Sequence, residues 1–234
     1  MIIINGKIIS GNHVTINGRG VVEPSIGESK TFDEKKSENA DKIEKIKINS
    51  ESVNIHISGS NSSKVTAHLH GKATVDGPFY LDFELSNSEL KITVRYTGNY
   101  YRGGLSLDIT VPYKIFKVIF AKTISASITL DDTVSTNFLK LKTTSGSINT
   151  SSEFSTSIIS SISGTVELFI NARQNITTNI STVSGYVSAE FNNISDINLN
   201  TESISGKVRN IHKPQGRYTA DVKISTISGS ISIR

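Results

Sequence analysis

Residues Ser225–Arg234 read STISGSISIR. Close variants come before it: TTSGSINT at 143–150, SISGTVEL at 161–168, STVSGYVS at 181–188 and SISGKVRN at 203–210. Aligned on the glycine, the units fall at Gly146, Gly164, Gly185, Gly206 and Gly229, and Ala126 of KTISASITL holds the same place one unit earlier. The intervals are 20, 18, 21, 21 and 23 residues. One position before each stands a serine (Ser125, Ser145, Ser163, Ser184, Ser205, Ser228), and two positions after stands a β-branched residue (Ile128, Ile148, Val166, Val187, Val208, Ile231). A period near 20 residues matches one coil of a β-solenoid, several short strands joined by tight corners and stacked at about 4.8 Å. A leucine-rich repeat of similar period would need a Leu/Asn consensus that is absent.

Period-two alternation runs through each unit. Counting back from the glycine, positions seven and five lean apolar (Ile119 and Ala121, Leu139 and Leu141, Val222 and Ile224), while six and four lean polar (Lys140 and Lys142, Lys223 and Ser225). The same phase turns position three (Thr123, Thr143, Ser161, Thr182, Ser203, Thr226) and the serine at position one inward, where their hydroxyls need partners on neighbouring coils. The glycine breaks phase at a corner, where a residue without Cβ is at ease. Position two then faces out, and Ile124, Ile162, Val183, Ile204 and Ile227 would form an aliphatic stripe along the molecule. If the corner began earlier, these residues would belong to the core.

Composition narrows the function. The chain has 234 residues, 36% of them hydrophobic, with no cysteine and no tryptophan. Disulfides, thiolate metal sites and thiol catalysis are excluded. The net charge of +4 is spread along the chain. That argues against nucleic acid as a partner, since such binders gather Lys and Arg on one face or run. No apolar stretch reaches the length of a membrane span, and the opening MIIINGKIISG lacks the pattern of a secretory signal. The expected location is the cytoplasm, with export by a signal-independent route as the other option.

Upstream, segments such as KIEKIKINSESVNIHISGS, PFYLDFELS and ELKITVRYTG alternate as strands, separated by Gly, Asn and Ser turns. They read as less regular coils or as a capping sheet. Asn5-Gly6 and Asn17-Gly18 are hairpin signals, and the stretch from Glu23 is charged and without period. The expected organisation is therefore an N-terminal β-hairpin segment (1–22), a polar linker (23–42) and a β-solenoid domain, single-stranded and β-helix-like (43–234).

The ITVP step at 109–112 followed by T-x-S-G-x-[IV] units resembles a bacterial β-strand-repeat family that goes by the name "putative adhesin". The resemblance spans residues 43–234 and is clearest from Leu105. It implies a β-helix-like domain. That family's usual acidic residue after the glycine is replaced here by Ser127, Ser147, Thr165, Tyr186, Lys207 and Ser230.

Candidate chemistry is sparse. His56, His68 and His70 could face a metal, but no ligand set is completed by spacing, and no metal or other cofactor is expected. Asp82 and Glu84 share a strand face, as the paired carboxylates of glycosidases do, without a second acidic cluster. No catalytic residue is assigned. The loop VRYTGNYYRGG gathers Arg95, Tyr96, Tyr100, Tyr101 and Arg102, residue types common at interfaces and able to stack on sugars. The expected function is non-enzymatic: an adhesin-like binding or scaffold module contacting protein or glycan. The alternative is a polysaccharide-acting β-helix enzyme. Self-association is expected through the aliphatic stripe or through an uncovered end, placed at the last unit.

Overall fold

The computed structural model describes residues 2–4, 7–9, 13–16, 19–22, 28–99 and 101–234, with side chains from residue 29 onward. Two short antiparallel pairs lead: β1 (Ile2–Ile4) with β2 (Lys7–Ile9), and β3 (His13–Ile16) with β4 (Arg19–Val22). Their expected turn residues, Asn5-Gly6 and Asn17-Gly18, lie outside the described residues.

The expected linker instead carries a long strand, β5 (Glu28–Asn39), followed by a 3-10 turn at Ala40–Lys42 capped by the Asn39 side chain. Next come β6 (Lys45–Asn49), β7 (Asn54–Ser60), β8 (Lys64–Val75), β9 (Phe79–Ser86), β10 (Glu89–Tyr96) and β11 (Tyr101–Pro112). The repeat units then contribute strand pairs: β12 (Ile115–Lys122) and β13 (Ile128–Leu130), β14 (Ser135–Thr143) and β15 (Ile148–Thr150), β16 (Glu153–Ser161) and β17 (Val166–Asn171). β18 (Ile176–Thr182) and β19 (Val187–Asn192), β20 (Ile194–Ser203) and β21 (Val208–Asn210), and β22 (Tyr218–Thr226) and β23 (Ile231–Ile233) complete the series.

The chain is all-β, built as two mixed sheets. The first sheet runs β20-β22-β18-β16-β14-β12-β6-β10-β9 and the second β21-β23-β19-β17-β15-β13-β7-β11-β8-β5. Each repeat gives one strand to each sheet, with its Ser-Gly turn between them. Neighbouring repeats pair in parallel; β9, β8 and β5 are antiparallel to their neighbours. The upstream segments thus combine parallel rungs (β6 with β7, β10 with β11) with an antiparallel margin.

The alternation read from the sequence becomes aliphatic rows between the sheets. Ala121, Leu141, Ile159, Ile180 and Ile224 are register partners in the first sheet, and Ile55, Ile128, Ile148, Val166, Val187 and Ile231 in the second. All are buried. Each buried aliphatic side chain contributes roughly 1.5–3 kcal/mol, and none could be buried by one repeat alone.

The turns stack in a column, in a different order from the chain. A Cβ on Gly146 would collide with the Ala126 carbonyl, one on Gly164 with Gly146, on Gly185 with Gly164, on Gly229 with Gly185, and on Gly206 with Gly229. The last unit therefore lies inside the stack, between the units at Gly185 and Gly206. Among the described residues the two sheets end at β20 and β21, which corrects the expectation that the last unit ends the stack. Backbone amides tie turn to turn: Ser145 N donates to Ile124 O (2.8 Å), Ser163 to Thr144 (2.8 Å), Ser184 to Ile162 (2.9 Å), Ser228 to Val183 (2.9 Å) and Ser205 to Ile227 (2.8 Å).

Position three points inward as expected. Thr143 Oγ1 accepts from Gly146 N at 3.0 Å and donates to Ala126 O at 3.3 Å, and Thr182 Oγ1 donates to Thr226 Oγ1 at 3.0 Å. The serines at position one are exposed, against expectation. The strand ends at position three and the corner takes up positions two, one and the glycine, so the two-residue period stops one step earlier than a simple count implies.

Candidate functional site

The Tyr/Arg loop does not form one surface. Arg95, on the outer face of the first sheet, has its Nε 2.5 Å from Asp82 Oδ2. Tyr96 and Tyr101 are partly buried against the core at the antiparallel margin. There Phe79 stacks on Tyr96 (4.6 Å between centroids) and meets Tyr101 edge-on (5.3 Å), while Phe32 meets Phe79 edge-on (5.3 Å). Tyr96 donates to Asp76 Oδ1 at 2.5 Å and Tyr101 to Gly103 O at 3.3 Å. The cavity beside them is about 30 Å3, room for a single water. Arg102 is exposed on the second sheet, and Tyr100 lies outside the described residues. The aromatic members thus pack the margin, and the two arginines part to different sheets.

Asp82 is held below the usual carboxylate range, first by the Arg95 hydrogen bond, which outweighs the opposing effect of burial, with a lesser contribution from that guanidinium's charge. A glycosidase general acid needs a raised pKa; Asp82 is tuned the opposite way.

The histidines find carboxylates that the sequence spacing hides. On the outer face of the second sheet His68 Nε2 lies 2.7 Å from Asp33 Oδ1, His70 Nε2 2.8 Å from Asp108 Oδ2, and His56 Nε2 3.0 Å from Asp131 Oδ1. Asp108 also lies 3.8 Å from His56 Nδ1, so its carboxylate bridges His70 and His56, while Asp33 serves His68 and Asp131 serves His56. Among the described residues no group of three or more such side chains is arranged to hold a metal ion.

A larger cavity lies along the opposite edge, where the chain returns from the second sheet to the first. It is an open groove of about 420 Å3 lined by Tyr113, Lys114, Ile115, Asp132, Glu153 and Arg173, among others. Tyr113 and Ile115 are 57% and 68% exposed. Arg173 Nε sits 2.7 Å from Glu153 Oε1, and Ser135 Oγ donates to Glu153 Oε2 at 3.0 Å. Lys114 Nζ is anchored on the Ala40 and Ile43 carbonyls and lies 5.0 Å over the Phe116 ring. The groove thus offers an aromatic and an aliphatic surface beside fixed charges of both signs. Sequence reasoning missed it. The available signal was the second break of phase in each unit, at Asp131-Asp132, Ser151-Ser152 and Arg173-Gln174.

The aliphatic stripe is on the outside: Ile124, Ile162, Val183 and Ile227 are 41–49% exposed and Ile204 is 83% exposed. No helix among the described residues is long and apolar enough to cross a membrane.

No family model matches the chain, and no curated protein sequence matches it. Solved structures do. A protein from Clostridium sporogenes, named a "putative cell adhesion protein", superimposes with a TM-score of 0.58 at 15% identity, covering 87% of this chain and 99% of that one. A "putative adhesin" from Bacteroides fragilis has a TM-score of 0.47 at 11% identity, covering 86% and 97%. At these identities the first likeness shows a shared fold.

Proposed function

We propose that this chain is a non-enzymatic β-solenoid binding module, adhesin-like in use, that seats an elongated protein segment or glycan along its return edge. The observation that carries this reading is the 420 Å3 groove, open along its length, with Tyr113 and Ile115 exposed beside the Glu153–Arg173 pair. An exposed ring supplies stacking area for a sugar or an apolar side chain. The ion pair, fixed by Ser135, supplies donors and acceptors in a set geometry. The shared fold with a protein named for cell adhesion supports the same reading. The Arg95 bridge, which lowers the pKa of Asp82, disfavours that residue as the general acid of the enzyme alternative.

Screening the protein on glycan and peptide arrays tests this. Binding to a ligand class is expected, weakened by Tyr113→Ala and by Arg173→Ala without change in thermal midpoint. Binding indifferent to both substitutions, or release of reducing ends that Asp82→Asn abolishes, would overturn it. Self-association belongs at the β20/β21 end. Its edges are unpaired among the described residues, and Val208 and Ile211 are 44% and 46% exposed.

A further inference from the structure

We infer that the turn-side flank of the first sheet is a docking surface for an anionic lipid bilayer. This goes beyond the groove and does not depend on it. On the outer face of this sheet Lys91, Lys47, Phe120, Lys140 and Ile158 stand side by side on successive strands. Two residues nearer the turns Lys122 pairs with Lys142. Lys47 and Lys140 reach over the Phe120 ring at 6.0 and 5.7 Å. Lys91 is paired with Glu84 at 3.7 Å; among the described residues Lys47, Lys122, Lys140 and Lys142 have no ion-pair partner. Strands about 4.8 Å apart and steps of about 6.6 Å along them set the bases of these side chains at regular spacings.

Two residues further on the same strands enter the turns, and there the stripe begins: Ile124 follows Lys122, Thr144 follows Lys142, and Ile162 and Val183 continue it on the next rungs. A cationic field bordered by exposed aliphatic side chains has the chemistry of an interfacial membrane surface. The lysines meet anionic headgroups and the aliphatic row enters the acyl boundary. A sulfated glycan would use the lysines and leave the aliphatic row idle. A second copy would use the row and leave the lysines without counter-charge on this face.

Flotation of the full chain with vesicles of phosphatidylcholine, with and without phosphatidylserine, tests the inference. Binding is expected to the anionic vesicles only. The pair Lys140→Gln with Lys142→Gln should weaken it about tenfold or more, Ile124→Ser with Ile162→Ser should weaken it severalfold, and raising the salt should release it. Both pairs change exposed side chains, so thermal unfolding should be unaltered and confirms that each variant is folded. No binding to anionic vesicles at low salt, equal binding to neutral ones, retention on a heparin column that the isoleucine pair does not alter in a protein that ignores vesicles, or a dimer that the isoleucine pair dissolves would each overturn it. Loss of array binding by Tyr113→Ala is a separate readout, so either proposal can fail alone.

Discussion

At the scale of single residues, one missing Cβ in each repeat after the first, and one inward hydroxyl per repeat, let the turns stack. Gly146→Ala places a methyl group on the Ala126 carbonyl and must push two hydrogen-bonded turns apart. A loss of about 3 kcal/mol in urea unfolding is expected, the range of overpacked cores. Gly104→Ala is the control: nothing lies within 4 Å of its Cβ, and a change under about 1 kcal/mol is expected. Equal effects would contradict the column. Thr143→Val strands the Gly146 amide and the Ala126 carbonyl that the hydroxyl serves, for a loss of about 1–3 kcal/mol. Ser161, buried at the equivalent place, has no hydrogen-bond partner for its hydroxyl among the described residues. Ser161→Ala should therefore cost less than Thr143→Val, measured in the same way. The inward hydroxyls were legible because strand side chains alternate with period two. The outward serines were not, because where a strand gives way to a corner depends on the neighbouring turn's carbonyl, which the local sequence does not show.

At the scale of elements, β5 shows how a strand can read as a linker. Its segment ESKTFDEKKSEN carries charge on both faces, with Phe32 as its one large apolar side chain. The inward-facing Glu34 and Lys36 pair at 3.2 Å, and Lys36 Nζ also reaches the Leu81 carbonyl. Inward charge is a known means of closing a sheet edge against further pairing, and it erases the alternation that would have revealed the strand. At the other end β20 and β21 have no such protection among the described residues. They hang on β22 and β23 for their ladder hydrogen bonds, because the last unit is inserted before them. Deleting residues 218–234 should therefore remove two rungs. Hydrogen-exchange protection should vanish over 194–210 as well, while amides of β16 and β17 keep theirs. Retained protection across 194–210 would mean that this unit stacks directly on β18 and β19.

At the scale of the whole molecule, the period of the Ser-Gly units and the inward apolar positions were legible in the sequence, because each follows from spacing; whether position two faced out or joined the core was not, because that turns on where the corner begins. Nor was the order of the rungs. Every unit carries the same turn and the same inward pattern, so a rung offers nearly the same surface to any other, and only the connections decide which neighbours meet. The return-edge groove was hidden for a related reason: its residues come from four separate connections and share no motif. The absence of native cysteine makes the rung order directly measurable. Neighbouring turn serines on parallel rungs stand about 4.8 Å apart, within the Cα range of a disulfide. Oxidation of three double variants, read by mass spectrometry, should cross-link Ser184→Cys with Ser228→Cys and Ser228→Cys with Ser205→Cys, and leave Ser184→Cys with Ser205→Cys reduced. Efficient cross-linking of the Ser184→Cys, Ser205→Cys variant, with the other two pairs unreacted, would put the rungs in chain order and contradict the account.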